Sequence, residues 1–431
     1  MSGPGPVTEE AGNRVCSGLK SARLDYLDQA TSDPPSALVD SSRKFRLAAD
    51  HSPTENLTML ARHTDGADRA RILRWFAIHR TRLVMRVFWL ACLTALPPSA
   101  DAGRAYVSNE DGQSVTVIDT GTAKAKAKVI ATIAVGKRPR GLKLSHDGLR
   151  LYAAVSGLPK CPPSTPDEEC AKLERDLQAD GIAVIDTASL KVLALLKADS
   201  DPEQFDLSAD GRLLFISNED AAQVSVLDVR SGAIKARIPV GHEPEGVRIS
   251  PNGKWVLVTN ESDNAVSVID ARTFKVLRSV SVGKRPRDVA FTPDGRLAYV
   301  SGEFDASLYR MAIPGGEPVE RLLELRKEAR PMSVALDASK GRLYISTGRG
   351  GTVAVVAITG SKAKVIADIP VGARPWGMAL STDGRRLYTA NGPSNDVSVV
   401  DTQSLEVIAK IPVGRSPWGI ALGPTPTAAG K

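Results

Sequence analysis

The chain has 431 residues, 42% of them hydrophobic and 24% charged, with a formal net charge of +7. That composition is ordinary for a soluble globular protein. A basic surplus so small over such a length argues for a mixed, solvated surface and against a nucleic-acid partner.

Residues 1–84 show no sustained periodicity and no repeat, and mix Pro, Ser, Asp and Arg without a core pattern. They are expected to be either a disordered extension or a stretch upstream of the true start. Residues 85–102 then carry the three parts of a secretory signal. Arg86 gives a positive beginning, Val87 to Leu96 an apolar run, and Ala100-Asp101-Ala102 a small-x-small end. Cleavage is expected after Ala102, which would place the mature protein in the periplasm or outside the cell. The apolar run, at about ten residues, is too short to span a bilayer.

From residue 103 the sequence repeats. Val-Gly-x-x-Pro occurs at Val135–Pro139, Val240–Pro244, Val282–Pro286, Val371–Pro375 and Val413–Pro417, with degenerate copies centred on Pro202 and Pro331. Successive prolines are 63, 42, 42, 45, 44 and 42 residues apart. After each proline comes a short apolar run, then an Asp-Gly or Asn-Gly turn such as Asp147-Gly148 or Asn252-Gly253. Such pairs supply the positive φ of tight hairpins. A second run follows (Leu213 to Asn218), then a polar turn, an alternating run (Gln223 to Asp228) and a last strand returning to the next Val-Gly. Four short strands at this period predict an all-β, seven-bladed β-propeller with four-stranded antiparallel blades over residues 103–423. The chain enters on a second strand (Arg104 to Asn109) and ends on a first strand (Pro417 to Leu422). The C-terminal strand should therefore complete the N-terminal blade, leaving 424–431 as a tail.

The long first interval contains an insertion, residues 158–181. Thr165, Pro166 and Asp167-Glu168-Glu169 suit a helix start, and Ala171 to Gln178 should continue the helix towards Gly181. Cys161 and Cys170 lie within it. No second cysteine pair or nearby histidine completes a zinc site, so a disulfide fits better than a metal in an oxidising compartment. A bond there would contribute roughly 2–3 kcal/mol.

Tyr106-Val-Ser-Asn109, Tyr299-Val-Ser-Gly302, Val115 to Asp119, Val266 to Asp270 and the Val-Gly-x-x-Pro copies resemble the YVTN family of β-propeller repeat proteins. With the signal and the cysteine-bearing insertion, the chain is most similar to propellers associated with pyrroloquinoline quinone (PQQ)-dependent catabolism. That resemblance implies a monomeric, periplasmic, non-enzymatic binding or scaffold protein of alcohol oxidation. Its partners would be a PQQ-dependent alcohol dehydrogenase, a cytochrome c or a transporter component.

In a propeller the Val-Gly-x-x-Pro loops and the second-to-third-strand loops open on one face. There the sequence places Arg138, Arg140, His242, Glu245, Arg285, Arg287, Arg374, Trp376 and Trp418 as candidates for binding a ligand or partner, with Asn109, Glu110, Asn218 and Glu219 on the polar turns. Arginines beside tryptophans can grip an anionic or aromatic ligand. Equally, Arg and Glu of neighbouring blades can pair across the mouth while the tryptophans fill space. Histidine is scarce, with only His146 and His242 in the propeller, and no catalytic set or metal site is assigned. Two other functions stay open. One is an enzyme of the lactonase or lyase type; the other is a propeller that binds PQQ or haem directly, although no Cys-x-x-Cys-His is present. N-terminal sequencing of exported protein should read from Gly103; a mature end far upstream would refute the signal at 85–102.

Overall fold

The computed structural model of the chain describes residues 103–424, apart from 122–125, 161–166, 171 and 316–318. Residues 1–102, the tail from 425 and the Cys161–Cys170 bond lie outside the described residues. No helix among the described residues is long and apolar enough to cross a membrane.

Seven four-stranded antiparallel sheets stand in a ring. Blade 1 combines residues 103–134 with the C-terminal strand Pro417–Pro424. Blades 2 to 7 follow in chain order over 142–197, 202–239, 244–281, 286–324, 334–370 and 375–412. The first strand of each blade lies innermost and touches the first strands on both sides, with the last blade meeting the first. The ring is thus closed by Gly103–Asn109 pairing with Pro417–Pro424.

Burial follows the strand order. Middle strands are buried along almost their whole length, while outermost strands such as Lys191–Lys197 face water. The apolar residues bury between sheets. The closing seam, for instance, packs Ala105, Val107 and Ile118 of blade 1 against Tyr388, Ala390 and Val397 of blade 7. The Asp-Gly turns form as expected, with φ of 70° at Gly148 and 67° at Gly295. Asp147 Oδ1 accepts from the Leu149 N–H at 2.9 Å and so fixes the turn.

The repeat proline sits at a point of strain. The residue before it is left-handed in six blades: Arg138, Asp201, Glu243, Arg285, Arg374 and Ser416 have φ between 41° and 55°. Side chains other than glycine hold that conformation at a cost of about 1–3 kcal/mol, so the surroundings must enforce it. Directly after the proline comes a β-bulge. Pro244 faces Asn260 and Val247 faces Val258, so the inner strand has one residue more than its neighbour. The same shift recurs after Pro202, Pro286, Pro375 and Pro417. A bulge turns a side chain out of the pleat. In five blades the backbone just past the proline is pinned by a hydroxyl of the preceding blade. Ser108 Oγ donates to the Arg140 carbonyl at 2.6 Å, Ser217 to Glu245 at 2.7 Å, Thr259 to Arg287 at 3.1 Å, Ser301 to Met332 at 2.6 Å, and Ser346 to Trp376 at 2.7 Å.

Two parts depart from the expected pattern. In blade 6 the inner strand starts at Val334, past the degenerate Pro331. The helix of the insertion covers only Asp167–Cys170 and does not run on to Gln178. Tertiary bonds account for the difference. Asp176 donates its N–H to the Gly157 carbonyl (3.1 Å) and accepts from Ala179 N (2.9 Å), while its carboxylate binds Lys137 at 2.8 Å. A short helix has little intrinsic stability with which to compete.

Deleting residues 416–431 should open the ring. Trp418 and Ile420 are at most 9% exposed, and uncovering such side chains costs about 1.5–3 kcal/mol each, before the lost backbone pairing. Thermal denaturation followed by circular dichroism should show a large fall in melting temperature; an unchanged melt would rule out closure by this strand.

Candidate functional site

One sequence rule builds the channel neck. The residue after the repeat proline comes from each blade in turn: Arg140, Glu203, Glu245, Arg287, Met332, Trp376 and Trp418. The neck is therefore charged over blades 2–5 and apolar over blades 6, 7 and 1. Glu245, Arg287 and Trp376 border two cavities at once. One, of about 370 Å³, also has Glu110, Arg138, Glu203, Glu219, Arg374 and Trp418 in its wall and lies at the mouth. The other, of about 360 Å³, continues along the inner strands past Phe205, Arg248, Met378 and Leu422.

Two arginines of the neck are caged by carboxylates. Arg140 is buried and pairs with Asp201 and Glu203, lies 3.6 Å from Glu219, and donates to the Pro202 carbonyl at 3.1 Å. Burial works against its charge, but Glu203, Asp201, Glu219 and Glu110 outweigh it and raise its pKa above the ordinary value. Arg287 pairs with Glu245 and Glu261, and with Glu303 at 2.7 Å. Above the neck, Arg138 reaches Glu110 at 3.0 Å and Arg285 reaches Glu261 at 2.6 Å. Pairing between neighbouring blades, one of the two arrangements open from the sequence, thus engages four of the predicted arginines.

The carboxylates beside Arg140 differ among themselves. Asp201, Glu203 and Glu219 bring oxygens within 4.8 Å of one another, the one such group at metal-ligand spacing among the described residues. The Arg140 guanidinium already supplies positive charge there. Burial opposes ionisation of Asp201, yet Arg140 and a bond from Ser156 hold its pKa below the usual range. Glu203 goes the other way. Burial is the largest cause, only partly offset by Arg140, and Glu219 and Asp201 add to it, so its pKa lies well above the ordinary carboxyl value. A carboxyl that keeps its proton beside one that does not is the arrangement acid–base chemistry uses.

Arg374 stands apart. It makes no ion pair among the described residues, and its guanidinium lies 4.4 Å from the Trp376 ring centroid. Desolvation by the channel wall, then the charges of Arg287 and Arg349, push its pKa down. Trp376 and Trp418 meet with ring centroids 5.7 Å apart, tilted by 36°. The tryptophans therefore form an aromatic side of the mouth cavity.

The structure gathers Arg138, Arg140, Glu245, Arg285, Arg287, Arg374, Trp376 and Trp418 around the mouth cavity, but not His242. His242 is exposed and its Nδ1 lies 2.9 Å from Asp263. Sequence reasoning missed Asp201, Glu203, Met332 and Lys160. Glu203 and Met332 follow the degenerate prolines 202 and 331, and the position rule applied to those copies finds both. Lys160 carries no such signal; it is brought from the insertion to Glu110 at 3.1 Å and Asp111 at 3.2 Å.

Residues 273–405 match the family model described as lactonase, 7-bladed beta-propeller, and residues 173–305 that of the cytochrome D1 heme domain. No curated protein matches the chain. Among solved structures, the periplasmic gluconolactonase PpgL of Pseudomonas aeruginosa is 21% identical, with a TM-score of 0.60 over 75% of this chain and 99% of that one. A protein described as a 6-phosphogluconolactonase from Bacteroides fragilis is 16% identical, with a TM-score of 0.62 over 76% and 99%. Kuenenia stuttgartiensis hydrazine synthase is 22% identical, with a TM-score of 0.57 over 69% and 92%. At these identities the solved structures establish the propeller fold. The comparisons also correct two expectations, that of a non-enzymatic scaffold for PQQ-dependent alcohol oxidation and that of no catalysis. The similarity runs to lactonases. Physically, the repeat sequences that suggested the scaffold describe how blades pack, and carry no chemistry of the channel.

Replacing Arg140 by Met should destabilise the fold by about 3–5 kcal/mol, because it leaves buried carboxylates without their counter-charge. Those carboxyls would then hold protons in the folded state that they release on unfolding, so the variant's stability should rise as pH falls. Chemical denaturation at several pH values reads both effects; a variant as stable as the parent at neutral pH would contradict the cage.

Proposed function

We infer that the protein is a propeller hydrolase of the lactonase type that works in the mouth cavity. The observation that carries this reading is the Glu203–Glu219 pair. Burial pushes the Glu203 carboxyl's pKa well up, the Glu219 carboxyl lies within 4.8 Å of it, and both line a cavity with an aromatic side. The partial match to the lactonase model supports it.

Lactone hydrolysis needs a base for water and an acid for the ring oxygen. Water adds to the lactone carbonyl carbon while the Glu219 carboxylate takes one of its protons. The ring C–O bond then breaks, its electron pair stays on the ring oxygen, and Glu203 gives that oxygen its proton. Glu219 returns a proton to Glu203, and the balance is one water consumed per hydroxy acid formed. The secretory-type segment 85–102 would put this hydrolysis outside the cytoplasm, and the Pseudomonas aeruginosa gluconolactonase is itself periplasmic by name.

Acid release in a pH-stat from glucono-δ-lactone and a panel of aliphatic and aromatic lactones tests the reading. The protein should accelerate at least one well beyond the buffer rate. Glu203→Gln should lower kcat by about 10²–10⁴-fold with KM little changed. In the parent, kcat/KM should fall as rising pH strips the Glu203 proton. No acceleration over buffer on any lactone of the panel would remove this function.

A further inference from the structure

Resting on that hydrolase reading, the geometry points to a substrate class: a lactone that bears a carboxylate on a flat, sparsely hydroxylated ring, gripped by Arg374 against the tryptophan wall. Three observations lead there. First, the polar half of the neck is spent on itself. Arg140 is bound to Asp201, Glu203 and the Pro202 carbonyl, and Arg287 to Glu245, Glu261 and Glu303. A polyhydroxylated sugar needs many free donors and acceptors on its walls, and those groups are engaged with one another.

Second, Arg374 makes no ion pair among the described residues. Its neighbours Arg287 and Arg349 repel it more than Glu303 and Glu110 attract it, and it is exposed on the wall of the mouth cavity across from Glu203. An anion arriving there relieves the repulsion. A carboxylate matches the planar fork of a guanidinium with two parallel bonds, which a lysine cannot reproduce.

Third, the surface next to that fork is flat and apolar. Trp376 lies under the guanidinium, Trp418 stands beside Trp376, and Pro393 and Pro417 complete this side of the cavity. A planar ring whose carboxylate is held by Arg374 lies at the accessible edge of Trp376, with the buried Trp418 packed behind it, and faces its lactone carbonyl across the cavity towards Glu203 and Glu219.

Binding and turnover test this separately. Tryptophan fluorescence and calorimetric titrations use benzoate, gluconate and inorganic phosphate as probes. Benzoate should bind at least tenfold more tightly than gluconate or phosphate. Arg374→Gln should weaken benzoate at least tenfold, and Arg374→Lys should recover only part of that, with melting temperatures unchanged. In turnover, 2-oxochroman-6-carboxylate should exceed uncharged dihydrocoumarin at least tenfold in kcat/KM, mainly through KM, and Arg374→Gln should erase the ratio. Equal binding of gluconate and benzoate, or benzoate binding untouched by Arg374→Gln, overturns the substrate class even where lactones are hydrolysed. Arg374-dependent benzoate binding with no lactone turned over would instead retain the ligand class and sink the hydrolase reading.

Discussion

Everything at the channel depends on how each inner strand begins. In most blades a left-handed residue, a proline and a bulge follow one another, and in five a hydroxyl of the preceding blade holds the carbonyl just beyond the proline. The left-handed residue is unfavourable by itself, and the bulge breaks the ladder. Both persist because the blades bury their apolar faces against each other and the ring has no free end at which to relax. The bonds from Ser108, Ser217, Thr259, Ser301 and Ser346 then fix the neck backbone to that packing. The strain thereby becomes a fixed direction for the side chains on either side of the proline.

The fold is symmetric, but the chemistry is not. The same backbone position carries Arg, Glu, Glu, Arg, Met, Trp and Trp round the ring. The consequence is a polar half whose charges neutralise one another and an aromatic half without partners. The carboxylate excess beside Arg140 pushes the pKa of Glu203 well above the ordinary carboxyl value, since burial penalises a further charge and Glu219 and Asp201 add to that penalty, with Arg140 offsetting only part of it. On the opposite wall the excess is of cations, and Arg374 makes no ion pair among the described residues. A cavity with a proton donor on one side and a free cation over an aromatic surface on the other suits an electron-rich carbonyl substrate carrying negative charge.

Legibility in the sequence varied with the length scale of the interaction. Asp147-Gly148 and Asn252-Gly253 act within four or five residues, so the turns could be read directly. Tyr106, Val107 and their counterparts alternate at the strand period, so the middle strands could too. His242 shows the limit. Its neighbours in the chain are glutamates, but the backbone turns its ring to Asp263, which lies far along the sequence. The insertion shows the same limit, since Ala171 to Gln178 has an acceptable local pattern for a helix, yet Asp176 is claimed by Gly157 and Lys137.

The sequence by itself determined the number of blades, the strand order within each, the closure of the ring by Pro417 to Leu422, and which face most of the candidate residues share. These follow from a period of about forty residues and from local turn and burial patterns repeated along the chain. Only the tertiary structure decided which arginines are neutralised, that Glu203 and Glu219 meet, and that Arg374 makes no ion pair among the described residues. Those outcomes depend on distances between side chains of different blades, and a repeat that is regular in sequence does not specify which charges will face one another across its axis.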